Sequence, residues 1–171
     1  MNKTNWEQKN TVKGDNQVSK YVKFEGKIGG TPRILLLGNS IAWHAPKEDI
    51  GWSGDWGMAA SCKENDFVHR IIADIQKDHP GAYFCFVQGA IWERTYKNCD
   101  YEGNFSAAKN FCPDIIITEL SGNIPNDDFE ESAFIENMSE FHSYLSGENK
   151  NVKIIETSSF GLYRVQRRLR R

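Results

Sequence analysis

Four short apolar runs, separated by stretches with helical spacing, constrain the fold of this chain more than any other feature. The first is Arg33-Ile34-Leu35-Leu36-Leu37, closed by Gly38; the others are Ala82–Val87, Asp114–Leu120 and Val152–Glu156. Runs this short and this continuously apolar predict strands buried on both faces. Between them, Met58 to about Lys77, Glu102–Asn110 and Phe129–Leu145 read as helices. Phe67, Ile71, Ile72 and Ile75 share a face of the first, and Phe134, Met138, Phe141 and Leu145 a face of the last. Pro80-Gly81 and Gly147 end two of these segments. Alternating strands and helices predict an α/β domain, a parallel sheet with helices on both faces. The expected organisation is a polar lead-in over residues 1–32, with a short strand near Tyr21–Gly26, then the domain over 33–160 and a basic tail over 161–171.

Composition narrows the class. A chain of 171 residues suits one domain with a sizeable core. The formal net charge of −2 gives no global attraction to nucleic acid. Five of the last eight residues are arginine, so an acidic body carries a basic tail. No apolar run approaches the roughly 20 residues needed to cross a bilayer, and the polar opening lacks the apolar region of a secretory signal. These features predict a cytoplasmic protein with no membrane partner. Cys62, Cys85, Cys99 and Cys112 form no C-x-x-C pair, so neither a zinc site nor a redox motif is expected.

In sheets of this kind, sites lie beyond the carboxyl ends of the strands. After the first strand comes Gly38-Asn39-Ser40-Ile41. A serine there presents its hydroxyl at the sheet edge, where turning backbone can aim N–H groups at a developing oxyanion. The spacing is not that of the G-x-S-x-G elbow. It also lacks the glycine patterns that cradle phosphates, which leaves nucleotide binding the weakest of the readings. Gln88-Gly89-Ala90 follows the second strand and Ser121-Gly122-Asn123 the third.

Together these blocks resemble the SGNH (GDSL-like) esterase family. The resemblance spans about Arg33–Ser159 and is strongest over Gly38–His69, where the stretch Gly38–Ser61 looks like a particular branch of the family. It implies a flavodoxin-like three-layer fold and hydrolysis of a small-molecule or carbohydrate ester, an acetyl ester among them, without metal or cofactor. It also implies Ser40 as nucleophile, with an oxyanion hole formed by the backbone N–H groups of Ser40 and Gly89 and the side chain of Asn123. Two departures stand out. Gly122 and Asn123 are adjacent where the family has G-x-N, and Gln88 stands where a small residue or asparagine is expected. Asn39, His44, Trp52 and Trp56 are candidates for substrate binding. Trp43, Trp52 and Trp56 either stack on a sugar or acyl group or pin the long loop.

The family's D-x-x-H block, which supplies the general base, has no counterpart after His142. Serine without a base is a poor nucleophile. His44, four residues from Ser40, is one candidate base. Asp66-Phe67-Val68-His69 spells D-x-x-H, but within a helix, where a surface pair is the plainer reading. His79 suits a helix end, and His142 reads as solvated. Glu93 and Arg94 read as a salt-bridged surface pair, Asp49 and Asp55 as turn caps. Two functions stay open: a serine esterase, and a non-catalytic carbohydrate-binding module or inactive, C-terminally shortened remnant. The arginine-rich end is too short to supply a closing helix, which predicts an apolar face covered by an oligomer or another partner.

Overall fold

The computed structural model of the chain describes residues 21–157 apart from Asn126 and Asp128. The basic tail, the first twenty residues of the lead-in and the expected uncovered face beyond Ser159 lie outside the described residues. Each apolar run is a strand: β2 (Arg33–Gly38), β3 (Tyr83–Gln88), β4 (Ile115–Glu119) and β5 (Lys153–Glu156), preceded by β1 (Val22–Gly26). The sheet order is β1-β3-β2-β4-β5. β2 pairs in parallel with both β3 and β4, and β4 with β5.

The sheet is mixed rather than wholly parallel, because β1 runs antiparallel to β3. Residues 27–32 are all that join β1 to β2, and a parallel return needs a crossover of a dozen residues or more. The lead-in therefore contributes an edge strand to the sheet.

Four α-helices accompany the strands among the described residues: α1 (Phe67–Asp78), α2 (Ala90–Thr95), α3 (Tyr101–Lys109) and α4 (Glu131–Ser146). α1 begins nine residues later than its apolar pattern suggested. Asp66 caps it, accepting the His69 N–H at 2.6 Å. Upstream, the Met58 N–H is drawn to Ser40 O at 2.8 Å, so Met58–Ser61 belongs to the loop. α2, six residues long, has no counterpart among the helices that the sequence predicts.

Alternate residues of the strands serve two cores. Ile34, Leu36, Phe84 and Phe86 pack with Val68 and Ile72 of α1. Leu35, Leu37, Cys85, Val87 and Ile116 face the other way, onto Trp92 of α2, Phe105 of α3, and Phe134, Phe141 and Leu145 of α4. This gives helix, sheet and helix layers, the arrangement expected when continuous apolar strands must be covered twice. No helix among the described residues is long and apolar enough to cross a membrane.

The connections fix one special place. From β2 the chain passes through α1 to β3 on one side, and later returns to place β4 on the other side of β2. The crevice between the carboxyl ends of β2 and β4 is therefore a switch point, where open α/β sheets gather their ligands.

Candidate functional site at the carboxyl edge of the sheet

Ser40 sits in a tight turn directly after β2. The Asn39 carbonyl accepts the N–H groups of Ala42 at 3.0 Å and Trp43 at 3.1 Å, and Asn39 Oδ1 accepts the Ile41 N–H at 3.0 Å. The chain doubles back so closely that a Cβ on Gly38 would lie 2.3 Å from Cβ of Ala42, which is why glycine ends β2. Ser40 is half-buried. Among the described residues neither its hydroxyl nor its N–H has a hydrogen-bond partner.

Asn123 lies across the crevice, in the turn after β4. It does not stand alone there. Its Nδ2 donates to Glu93 Oε2 at 2.5 Å and its N–H approaches Glu93 Oε1 at 3.3 Å. The Ser121 N–H donates to the same Oε1 at 2.6 Å, and Asn39 Nδ2 reaches it at 3.5 Å. Glu93 is 0 % exposed. It is thus no surface partner of the exposed Arg94: α2 turns it under the sheet edge, and donors from the β2 and β4 turns take the place of water. A buried carboxylate persists only when so satisfied. Ser121 has φ 112°, a conformation that costs a non-glycine residue about 1–3 kcal/mol.

Gly89 caps α2 at the end of β3. Its N–H, expected to face an oxyanion, donates to Gly38 O at 2.6 Å and so continues the β2–β3 ladder.

The long loop after Ser40 is tied to itself. His44 pairs with Trp56 and Lys47 with Trp52 in isolated bridges. All three indole N–H groups are committed: Trp43 to Asp55 Oδ1 at 2.7 Å, Trp52 to His44 O at 3.1 Å and Trp56 to Ala60 O at 3.1 Å. Trp52 and Trp56 also meet edge to face, 5.4 Å between centroids. These contacts pin the loop. Asp55 is no turn cap, for it also holds Lys23 Nζ at 2.7 Å. Asp49 is exposed and 3.5 Å from Lys47.

The four histidines have distinct settings. His44 donates from Nδ1 to Ala45 O at 2.6 Å, so in the neutral ring Nε2 carries the free lone pair. His69 is buried, its Nδ1 bonded to Asp66 Oδ2 at 2.6 Å and its Nε2 3.5 Å from Glu25. The D-x-x-H pair is therefore a real Asp–His contact under the loop, not a surface pair. His79 is exposed at the end of α1. His142 is buried rather than solvated, its Nε2 2.8 Å from Thr118 Oγ1, and burial holds its pKa below the ordinary value. Among the described residues none of the four is hydrogen-bonded to Ser40.

A groove of about 710 Å³ opens beside this edge, between α4 and the β4–β5 pair. Leu120, Ser121, Phe134, Met138, His142 and Ile154 line it; Ser40 and Asn123 do not. No group of three or more His, Cys, Asp or Glu among the described residues is arranged to hold a metal ion.

Fold and site together define an α/β domain with a serine and a buried Glu–Asn cluster facing one switch-point crevice. Comparison with protein-family models, with curated proteins and with solved structures finds no match to this chain.

Proposed function

We propose that this chain is a serine esterase of the SGNH (GDSL-like) type, with Ser40 attacking the carbonyl carbon of an ester. The observation that carries this reading is the placement of Ser40 and Asn123 on the two sides of the β2–β4 crevice. The four parallel strands run β3-β2-β4-β5, an order compatible with a flavodoxin-like sheet, whose ligands sit at that same crevice. In this reading the Ser40 N–H and the second Nδ2 hydrogen of Asn123 stabilise the oxyanion. Gly89 shapes the edge, since its own N–H is engaged by Gly38. His44 is the histidine whose Nε2 lone pair is set to take a proton. The substrate class is a small ester, a carbohydrate acetate among the candidates.

One observation favours a second reading, binding of such a ligand without turnover: among the described residues no histidine is hydrogen-bonded to Ser40. Hydrolysis of p-nitrophenyl acetate separates the two. The esterase reading expects turnover that falls at least a hundredfold in Ser40→Ala. The binding reading expects background rates in both proteins, with calorimetric binding of an acetylated glycan that survives Ser40→Ala.

A further inference from the structure

The sequence motifs leave Glu93 out of the site, yet donors from both walls of the crevice end on it. Its two carboxylate oxygens are acceptors only, and they receive Asn39 Nδ2, Asn123 Nδ2 and the N–H groups of Ser121 and Asn123. An asparagine amide is nearly symmetric in shape and turns over readily unless its partners tell oxygen from nitrogen. Here they do. Glu93 admits only the nitrogen side of each amide, and the Ile41 N–H admits only the oxygen of Asn39. The same carboxylate holds Ser121 in its left-handed backbone conformation.

We infer that Glu93 is a positioning residue: from beneath the β2–β4 crevice its carboxylate fixes the orientation of the Asn39 and Asn123 amides and the shape of the β4 turn. Its consequence for turnover rests on the esterase reading; its structural part does not. Glu93→Gln replaces one acceptor by an amino group. The backbone N–H groups of Ser121 and Asn123, which cannot turn over, keep the remaining oxygen on their side. The new amino group therefore faces Asn123 Nδ2, and the Asn123 amide turns over or parts from residue 93.

The test joins nuclear magnetic resonance with kinetics. Side-chain amide signals of Asn39 and Asn123 are assigned through Asn39→Asp and Asn123→Asp. In the wild-type protein both exchange slowly with solvent and the Asn123 pair lies downfield; in Glu93→Gln the Asn123 pair moves toward free-amide values. Unchanged Asn123 signals in Glu93→Gln overturn the inference. With p-nitrophenyl acetate, at a temperature where melting curves show both proteins folded, kcat falls at least tenfold and KM stays within threefold. A kcat within twofold of wild type, in an enzyme that Ser40→Ala inactivates, overturns the catalytic part. If Ser40→Ala leaves the rate unchanged while the amide signals still move, the esterase reading fails and the positioning role stands. Should Glu93→Gln not fold, the wild-type signals decide: free-amide shifts and fast exchange at Asn123 overturn the inference.

Discussion

Asp66 meets His69 twice at the start of α1, accepting the backbone N–H at 2.6 Å and the ring Nδ1–H at 2.6 Å. Glu25 of β1 lies 3.5 Å from the other ring nitrogen and is itself held by Lys63 at 2.7 Å and Lys23 at 2.9 Å. Burial disfavours the charged imidazole, but the hydrogen bond to Asp66 and the nearby Glu25 carboxylate together outweigh it and raise the His69 pKa. Burial likewise opposes the charged carboxylates, and their bonds win: Asp66 is lowered, Glu25 well below the usual carboxylate range. A raised histidine stabilises the fold fully below its unfolded value of about 6.5 and loses that contribution as pH rises through the folded value. The lowered carboxylates contribute above their unfolded values of about 4 and lose the contribution as pH falls. The cluster therefore stabilises most between about pH 4 and 6.5. His142, lowered by burial, acts in the opposite sense over the same range. Comparing His69→Gln with wild type cancels that term. The gap between their melting temperatures is expected to be widest near pH 5–6 and to shrink above neutrality; a gap that widens with rising pH would exclude the charged pair.

The larger core turns on Phe141. It is fully buried, stacks on Trp92 at 5.3 Å and 10°, and touches Tyr101 at 5.3 Å and Phe105 at 4.9 Å. Truncating such a side chain costs about 3–5 kcal/mol, a large part of a domain's stability. Urea unfolding of Phe141→Ala should show that loss; a change under about 1 kcal/mol would mean that α4 does not pack on α2 and α3 as described.

The turn that carries Ser40 depends on a close approach between Gly38 and Ala42. Gly38→Ala would put two Cβ atoms 2.3 Å apart, and overpacking of this kind costs about 1–3 kcal/mol. Ala42→Gly removes the clash. The double variant should be more stable than Gly38→Ala alone, an interaction that a double-mutant cycle reads directly. Additive losses would show that the two positions do not touch.

The central sheet was legible in the sequence because β2 and β3 are buried on both faces and leave unbroken apolar runs. The start of α1 was not: Met58 and Ala59 are apolar, but Asp66 supplies the cap. α2 is too short for a periodicity window, although Trp92 within it and Tyr96 just after it, four apart, are both buried. His142 also left a trace, since it stands four residues after Met138 on the buried stripe of α4. Glu93 left almost none. Next to Arg94 it reads as half of a surface ion pair, and the donors that make its burial tolerable come from positions 28, 30 and 54 residues away. Ser40 and Asn123 were read from their motifs, and the sheet order brings their turns to one crevice. The engagement of the Gly89 N–H could not be read, because it depends on the β2–β3 register.

The most direct test of the account is covalent labelling of the protein with a fluorophosphonate, followed by mass-spectrometric mapping of the modified residue. The account predicts one adduct, on Ser40, absent from Ser40→Ala. An unlabelled wild-type protein, or an adduct that persists when Ser40 is replaced, would contradict it.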